Sequence, residues 1–360
     1  MKLPRITILA TLLLTAPAAA QLQITPPVAT PSAVPEKQKP KPPPAAKKKE
    51  AAPAPKPSAS PKPAASPKPA LPATVIPAPA TDNPNVDLVF GAYQRGQYKT
   101  AFDLATARAQ AGDPKAMTML GELYSNAMGI RRDYAKALEW YKRASDAGDR
   151  EAMFALAMLR ISGRGGSVDK SEAVKLMASA AKLGEPKAAY NLALLYLDGQ
   201  TLPQDVRRSA ELLRQAADAG LPEAQYALAT FYKEGTGVAK DPERAVRLLQ
   251  AASLADNVDA EVEYAIAMFN GTGTPKNQPA AVALLRKASR QGSAIAQNRL
   301  AWVLINGVGV SADKVEGFKW HLVAKTAGKG DPELDKQLSD LPAEDRAKAE
   351  AAAKKWLGSK

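Results

Sequence analysis

From about residue 87 to residue 330, apolar and polar positions recur with a period of 36. One column is small: Ala116, Ala152, Ala188, Ala224, Ala260 and Ala296. A second holds Leu120, Leu156, Leu192, Leu228, Tyr264 and Leu300, and beside it stand Gly121, Ala157, Ala193, Ala229, Ala265 and Ala301. Further along each unit, Asp133, Asp169, Asp205, Asp241, Asn277 and Asp313 align, then Ala144, Ala180, Ala216, Ala252, Ala288 and Ala324. Glycine closes the unit at 112, 148, 184, 220, 292 and 328, with Asp256 standing in the fifth place. Six registers without an insertion mark a repeat architecture.

Within a unit, Ala116, Leu120, Leu123 and Tyr124 lie at helical spacing and predict a first helix. Glycine pairs at 163/165, 235/237, 271/273 and 307/309 break it. The Asp/Asn column predicts side-chain caps for a second helix. Pro242 follows Asp241 at the first helical position, and Asp169 with Glu172 has the spacing of a capping box. Ala137, Trp140 and Ala144 continue the second helix to the glycine column, which ends it, and Pro114, Pro186 and Pro222 restart the pattern. A single hairpin of this kind cannot bury its own apolar face, so the units must stack. The predicted fold is all-α: a solenoid of about six 36-residue helix-loop-helix repeats. A shortened unit near 87–112 caps its start. A charged, Ala-rich helix from Leu341-Pro342 to about Trp356 caps its end.

Ahead of the repeats the composition changes. Lys2 and Arg5 precede an apolar run from Ile6 to Thr15 and the small residues Ala18-Ala19-Ala20. This is the pattern of a signal peptide (1–20) cleaved before Gln21, with an uncleaved inner-membrane anchor as the alternative. Its apolar run is far short of the roughly 20 residues that span a bilayer, so no stable membrane span is expected after cleavage. Residues 21–84 carry 19 of the 30 prolines, which exclude helix and sheet and predict an extended, solvated linker. Nine lysines against Glu36 and Glu50 in residues 21–81 supply about half of the net charge of +13. No aromatic residue interleaves them, and the repeats are only mildly basic, so a nucleic-acid partner is not expected. The domain order expected is therefore 1–20 signal peptide, 21–84 linker, 85–330 solenoid and 331–360 capping helices.

The segment Ala224-Gln225-Tyr226-Ala227-Leu228-Ala229, followed by Gly235-Thr236-Gly237 and Asp241, resembles the Sel-like repeat. So does Leu120-Gly121-Glu122-Leu123-Tyr124 with Ala137-Leu138-Glu139-Trp140-Tyr141. That family is related to the tetratricopeptide repeat and has a longer loop between its helices. The resemblance departs at Gly163-Arg164-Gly165-Gly166, which lacks the usual Val, and at Thr201, where the second loop glycine is missing. It implies a tetratricopeptide-like α-solenoid whose first helices line a concave face. Three columns would then meet a partner, with candidate residues Phe154, Met158, Ile161, Tyr190, Leu194, Leu197, Tyr226, Ile266, Phe269, Trp302 and Ile305. Together they are more apolar than an ordinary surface. The competing reading packs them between adjacent first helices.

No Cys is present and only one His, His321, which stands beside Trp320 and reads as a packing residue. These absences exclude a lipoprotein anchor, a thiolate metal site and a cysteine nucleophile, and no cofactor is expected. The glycine pairs lie between helices rather than after strands, so they are not phosphate loops. The signal-peptide pattern predicts an exported, periplasmic protein, and the resemblance implies a non-enzymatic interaction scaffold or regulator that binds a protein or peptide of the cell envelope. The alternatives are a structural envelope protein that associates with peptidoglycan through the Lys/Pro-rich linker, and an envelope hydrolase.

Overall fold

In the computed structural model of the protein, residues 87–358 are described, so the expected signal peptide and linker lie outside the described residues. Two helices come first, α1 (Leu88–Gln94) and α2 (Tyr98–Gln110). Six pairs follow: α3 (Pro114–Asn126) with α4 (Tyr134–Asp146), α5 (Arg150–Ser162) with α6 (Lys170–Lys182), and α7 (Pro186–Asp198) with α8 (Val206–Asp218). The remaining pairs are α9 (Pro222–Glu234) with α10 (Pro242–Leu254), α11 (Val258–Asn270) with α12 (Gln278–Arg290), and α13 (Ala294–Asn306) with α14 (Lys314–Thr326). The described chain ends in α15 (Pro332–Ser339) and α16 (Ala343–Gly358). No strand occurs among the described residues. From α1 to α14 each helix packs on the next, and the described residues fall in one unit.

The paired helices keep one length because both ends are fixed chemically. Asp133, Asp169, Asp205, Asp241, Asn277 and Asp313 each accept a hydrogen bond from the backbone N–H three residues on, at 2.9–3.1 Å. This satisfies one of the free amides at each second-helix start. The capping box expected at Asp169 forms only by half. Glu172 N–H donates to Asp169 at 2.9 Å, while the Glu172 carboxylate turns away to lie 4.0 Å from Lys175 Nζ. At the other end, Asp149 N–H donates to Ala144 O at 3.0 Å, and Glu185 N–H donates to Ala180 O at 2.9 Å, closing the helix over the glycine position. Asp256 occupies this position with φ 57°, and its carboxylate pairs with Lys287 at 2.9 Å.

The small columns set the distance between helices. Ala152, Ala188, Ala224, Ala260 and Ala296 are fully buried, as are Ala144, Ala180, Ala216, Ala252, Ala288 and Ala324. At Gly121 a Cβ would lie 2.6 Å from the Tyr141 ring, so α3 and α4 approach more closely than alanine permits. The second loop glycine has a different task. A Cβ on Gly237, where φ is +67°, would lie 2.6 Å from the carbonyl oxygen of Val206. The loop of one unit therefore rests on the start of the preceding unit's second helix. Where Thr201 replaces this glycine, Gln204 Nε2 donates to Leu197 O at 2.9 Å and braces the loop from within.

At the C-terminal end α16 packs on α14. Trp320 and Trp356 meet edge to face at 5.1 Å, and Lys319 Nζ lies 4.2 Å and 5.1 Å from the two ring centroids. His321 is fully buried, and its Nε2 donates to Asp335 on α15 at 2.8 Å, with Lys325 Nζ on the same oxygen at 2.8 Å.

Two predictions follow from these contacts. Gly121→Ala should destabilise the protein by about 1–3 kcal/mol, the usual cost of overpacking, read as a lower midpoint in urea. Lys325, followed by His321, holds the Asp335 carboxyl below the usual carboxylate range. A lowered acid contributes stability above its unfolded value, near about 3.9. That contribution is lost as pH falls through the lower folded value. The gap in melting temperature between the native chain and Asp335→Asn should thus shrink as pH falls below about pH 4.

Candidate partner-binding face

The first helices place every third or fourth side chain on one face. On α5 this puts Phe154, Met158 and Ile161 in line, and on α7 Tyr190, Leu194 and Leu197. All six are half-buried, as are Tyr226 on α9 and Trp302 on α13. The same columns close elsewhere. Ile266 and Phe269 on α11, and Ile305 on α13, are 6%, 5% and 5% exposed. Those three are packing residues. The cause is clear at Ile305: Gly317 on α14 has no side chain, and a Cβ there would lie 2.6 Å from Ile305 Cγ1. The helix moves in and covers the isoleucine. Accessible apolar side chains thus form a row across the second to fourth units, with Trp302 further along.

The row is bounded by polar contacts at its N-terminal end. Thr118 Oγ1 donates to Asp149 at 3.1 Å, and Tyr93 of α1 donates its hydroxyl to Glu122 at 2.8 Å. These two column positions are therefore engaged within the fold. Half-burial also shapes the two tyrosines. Burial, then the charge of Glu223, pushes the Tyr190 hydroxyl up to about 12. Tyr226 is raised further, by burial first and then by Glu263, Asp259 and Glu234. Both rings stay neutral phenols, apolar on the face and able to donate at the rim. The sequence columns alone did not show this acidic surround. Glu223, Glu234, Asp259 and Glu263 come from two neighbouring units, and of these Lys233 neutralises Glu263 at 3.0 Å. Half-buried Leu195 and Tyr196 were also outside the predicted columns, although their position on α7 was legible from helical spacing.

Among the described residues no cluster of three or more His, Asp or Glu side chains is arranged to hold a metal ion. No helix among them is long and apolar enough to cross a membrane.

Capped hairpins of constant length, stacked through alanine columns, define an α-solenoid repeat protein. The Sel1 repeat matches six consecutive segments, 114–149, 150–185, 186–221, 222–257, 258–293 and 294–329, and the chain belongs to the Sel1 repeat family. Sel1 repeat proteins are in general protein-interaction scaffolds. Among solved structures, the chain is similar to a Sel1 repeat protein from Oxalobacter formigenes, at 24% identity and a TM-score of 0.56, over 66% of this chain and 94% of that one. It is also similar to c5321, a protective antigen of uropathogenic Escherichia coli strains with an SLR fold, at 23% identity and a TM-score of 0.51, over 74% of this chain and 67% of that one. These likenesses concern the fold alone. Comparison with curated protein sequences gives no match.

The split between covered and accessible columns is measurable. Ile266→Ala should cost about 2–5 kcal/mol, as for a core truncation. Phe154→Ala, in the neighbouring column of another unit, should cost well under that in the same urea titration.

Proposed function

We propose that this protein is an exported, non-enzymatic scaffold that holds a protein or peptide partner of the cell envelope along the first-helix face. The observation that carries this reading is the row of half-buried large apolar side chains, Phe154, Met158, Ile161, Tyr190, Leu194, Leu197 and Tyr226. Contiguous apolar surface of this kind gains free energy when a partner covers it. Aromatic anchors in such a row concentrate the binding energy. The acids around Tyr226 favour a segment that pairs apolar anchors with Lys or Arg. In tetratricopeptide-like arrays this face is the concave one, and a helix or an extended chain fits along it. The signal-like start, residues 1–20, supports export and a periplasmic location.

A second reading is supported by the nine lysines in residues 21–81, which would draw the linker to an anionic wall polymer such as peptidoglycan. The two readings respond differently to one experiment. With the full chain as bait in crosslinking from intact cells, the triple variant Phe154→Ser, Leu194→Ser, Trp302→Ser should lose its crosslinked partner at least tenfold while its helical circular dichroism is kept. Unchanged crosslinking in a folded triple variant would overturn the scaffold reading. Sedimentation with purified cell wall that disappears on deleting residues 21–84 or on adding salt would favour the linker reading.

A further inference from the structure

A second group of residues, drawn mostly from second helices, lines a cleft. Between α8 and α10, beside the loop that follows α9, is an open cleft of about 420 Å³. An adjoining hollow of about 380 Å³ shares Arg214, Tyr232 and Arg244 with it. Volumes of roughly 300–1,000 Å³ are those of small-molecule sites. Arg214 NH2 donates to the Tyr232 hydroxyl at 3.3 Å, which leaves the phenolic proton free to be donated elsewhere. The Arg244 guanidinium lies 5.7 Å from the Tyr232 ring centroid. Lys240 and Arg247 add two more cations to the walls, and neither has an ion-pair partner among the described residues. The opposing acids are two, Asp218 and Asp241. Asp241 is already engaged, one oxygen capping α10 through Arg244 N–H at 2.9 Å and the other bonded to Arg244 Nε at 3.1 Å. Leu248 supplies an apolar wall, backed by the fully buried Leu228.

The repeat itself shows what is missing. Two units on, the position of Arg214 is Arg286 and the position of Arg244 is Glu316. There Arg286 NH1 donates to both Glu316 oxygens, at 2.6 and 2.7 Å. The backbone frame is the same, so this pair marks where a carboxylate group belongs. At Arg214 the facing position holds a second guanidinium, Arg244, whose Nε pairs with Asp241, and the Tyr232 hydroxyl lies between the two cations. Like charges that converge over a cavity favour an anion from outside, and guanidinium forks match the planar or tetrahedral oxygens of carboxylate and phosphate. The two guanidiniums also hold the Tyr232 hydroxyl below its ordinary range against the opposing effect of its burial, which strengthens it as a donor.

We propose that the cleft of Arg214, Tyr232 and Arg244 binds an oxyanion, a carboxylate or phosphate, carried on a small apolar or aromatic body. The oxyanion takes the place that Glu316 holds at the equivalent junction. The body rests on Leu248.

Calorimetric titration of the full chain at low salt with phenyl phosphate and with benzoate tests this, and the two probes distinguish phosphate from carboxylate. Saturable binding of either probe at one site per chain is expected. Arg214→Gln should weaken it at least tenfold and Tyr232→Phe several-fold. Arg244→Glu restores an internal carboxylate and should abolish uptake with a melting temperature no lower than the native chain's. Arg207→Gln, on the same helix outside the cleft, should leave binding unchanged. The proposal is overturned if neither probe binds, if Arg244→Glu still binds (as it would were the linker lysines the site), or if Arg207→Gln weakens binding as much as Arg214→Gln.

Discussion

Close approach of helices through side chains too small to keep them apart is the constraint on which this structure rests. The alanines at 144, 152, 180, 188 and their repeats are fully buried, and Gly121 and Gly317 leave no room even for a methyl group. Close packing at such density leaves little tolerance for volume. Because each contact repeats in every unit, its effect is multiplied along the chain. A hairpin leaves an apolar face open until a neighbouring hairpin covers it, so no unit is stable singly. The caps matter for the same reason. They hold each helix to one length, and constant length keeps the alanine columns in register across units.

The constant positions build the scaffold, and the variable ones differentiate it. At the first-helix columns, the same backbone site carries Met158, Leu194, Thr230, Ile266 or Trp302. Whether that side chain is covered depends on what the next helix presents. Gly317 draws α14 onto Ile305, whereas Ile161 in the equivalent place stays half-buried. The junction charges vary in the same manner. One unit pairs Arg286 with Glu316, and another sets Arg214 against Arg244. A repeat protein thereby acquires two distinct surfaces, one apolar and one cationic, without altering its frame.

Much of the fold was legible because its determinants are local and periodic. The 36-residue period, the Asp/Asn caps and the glycine stops act within a few residues of chain, and each has one physical consequence that does not depend on the neighbours. The C-terminal helix was readable from its Ala and charge content, and it runs from Ala343 to Gly358. The candidate face was legible only as columns. Helical spacing aligned all eleven residues, yet could not separate Ile266, Phe269 and Ile305, which are covered, from the eight that are not.

What the sequence determined by itself was the class of element, its ends and its repeat, since hydrogen-bond capping and helical periodicity are settled over distances of one or two turns. Tertiary structure alone decided which apolar side chains stay accessible, that His321 reaches Asp335, and that Arg214 converges with Tyr232 and Arg244. Those outcomes depend on how near one helix comes to another and on what charge its neighbour holds there. Both are properties of surfaces brought together by stacking rather than of any stretch of chain.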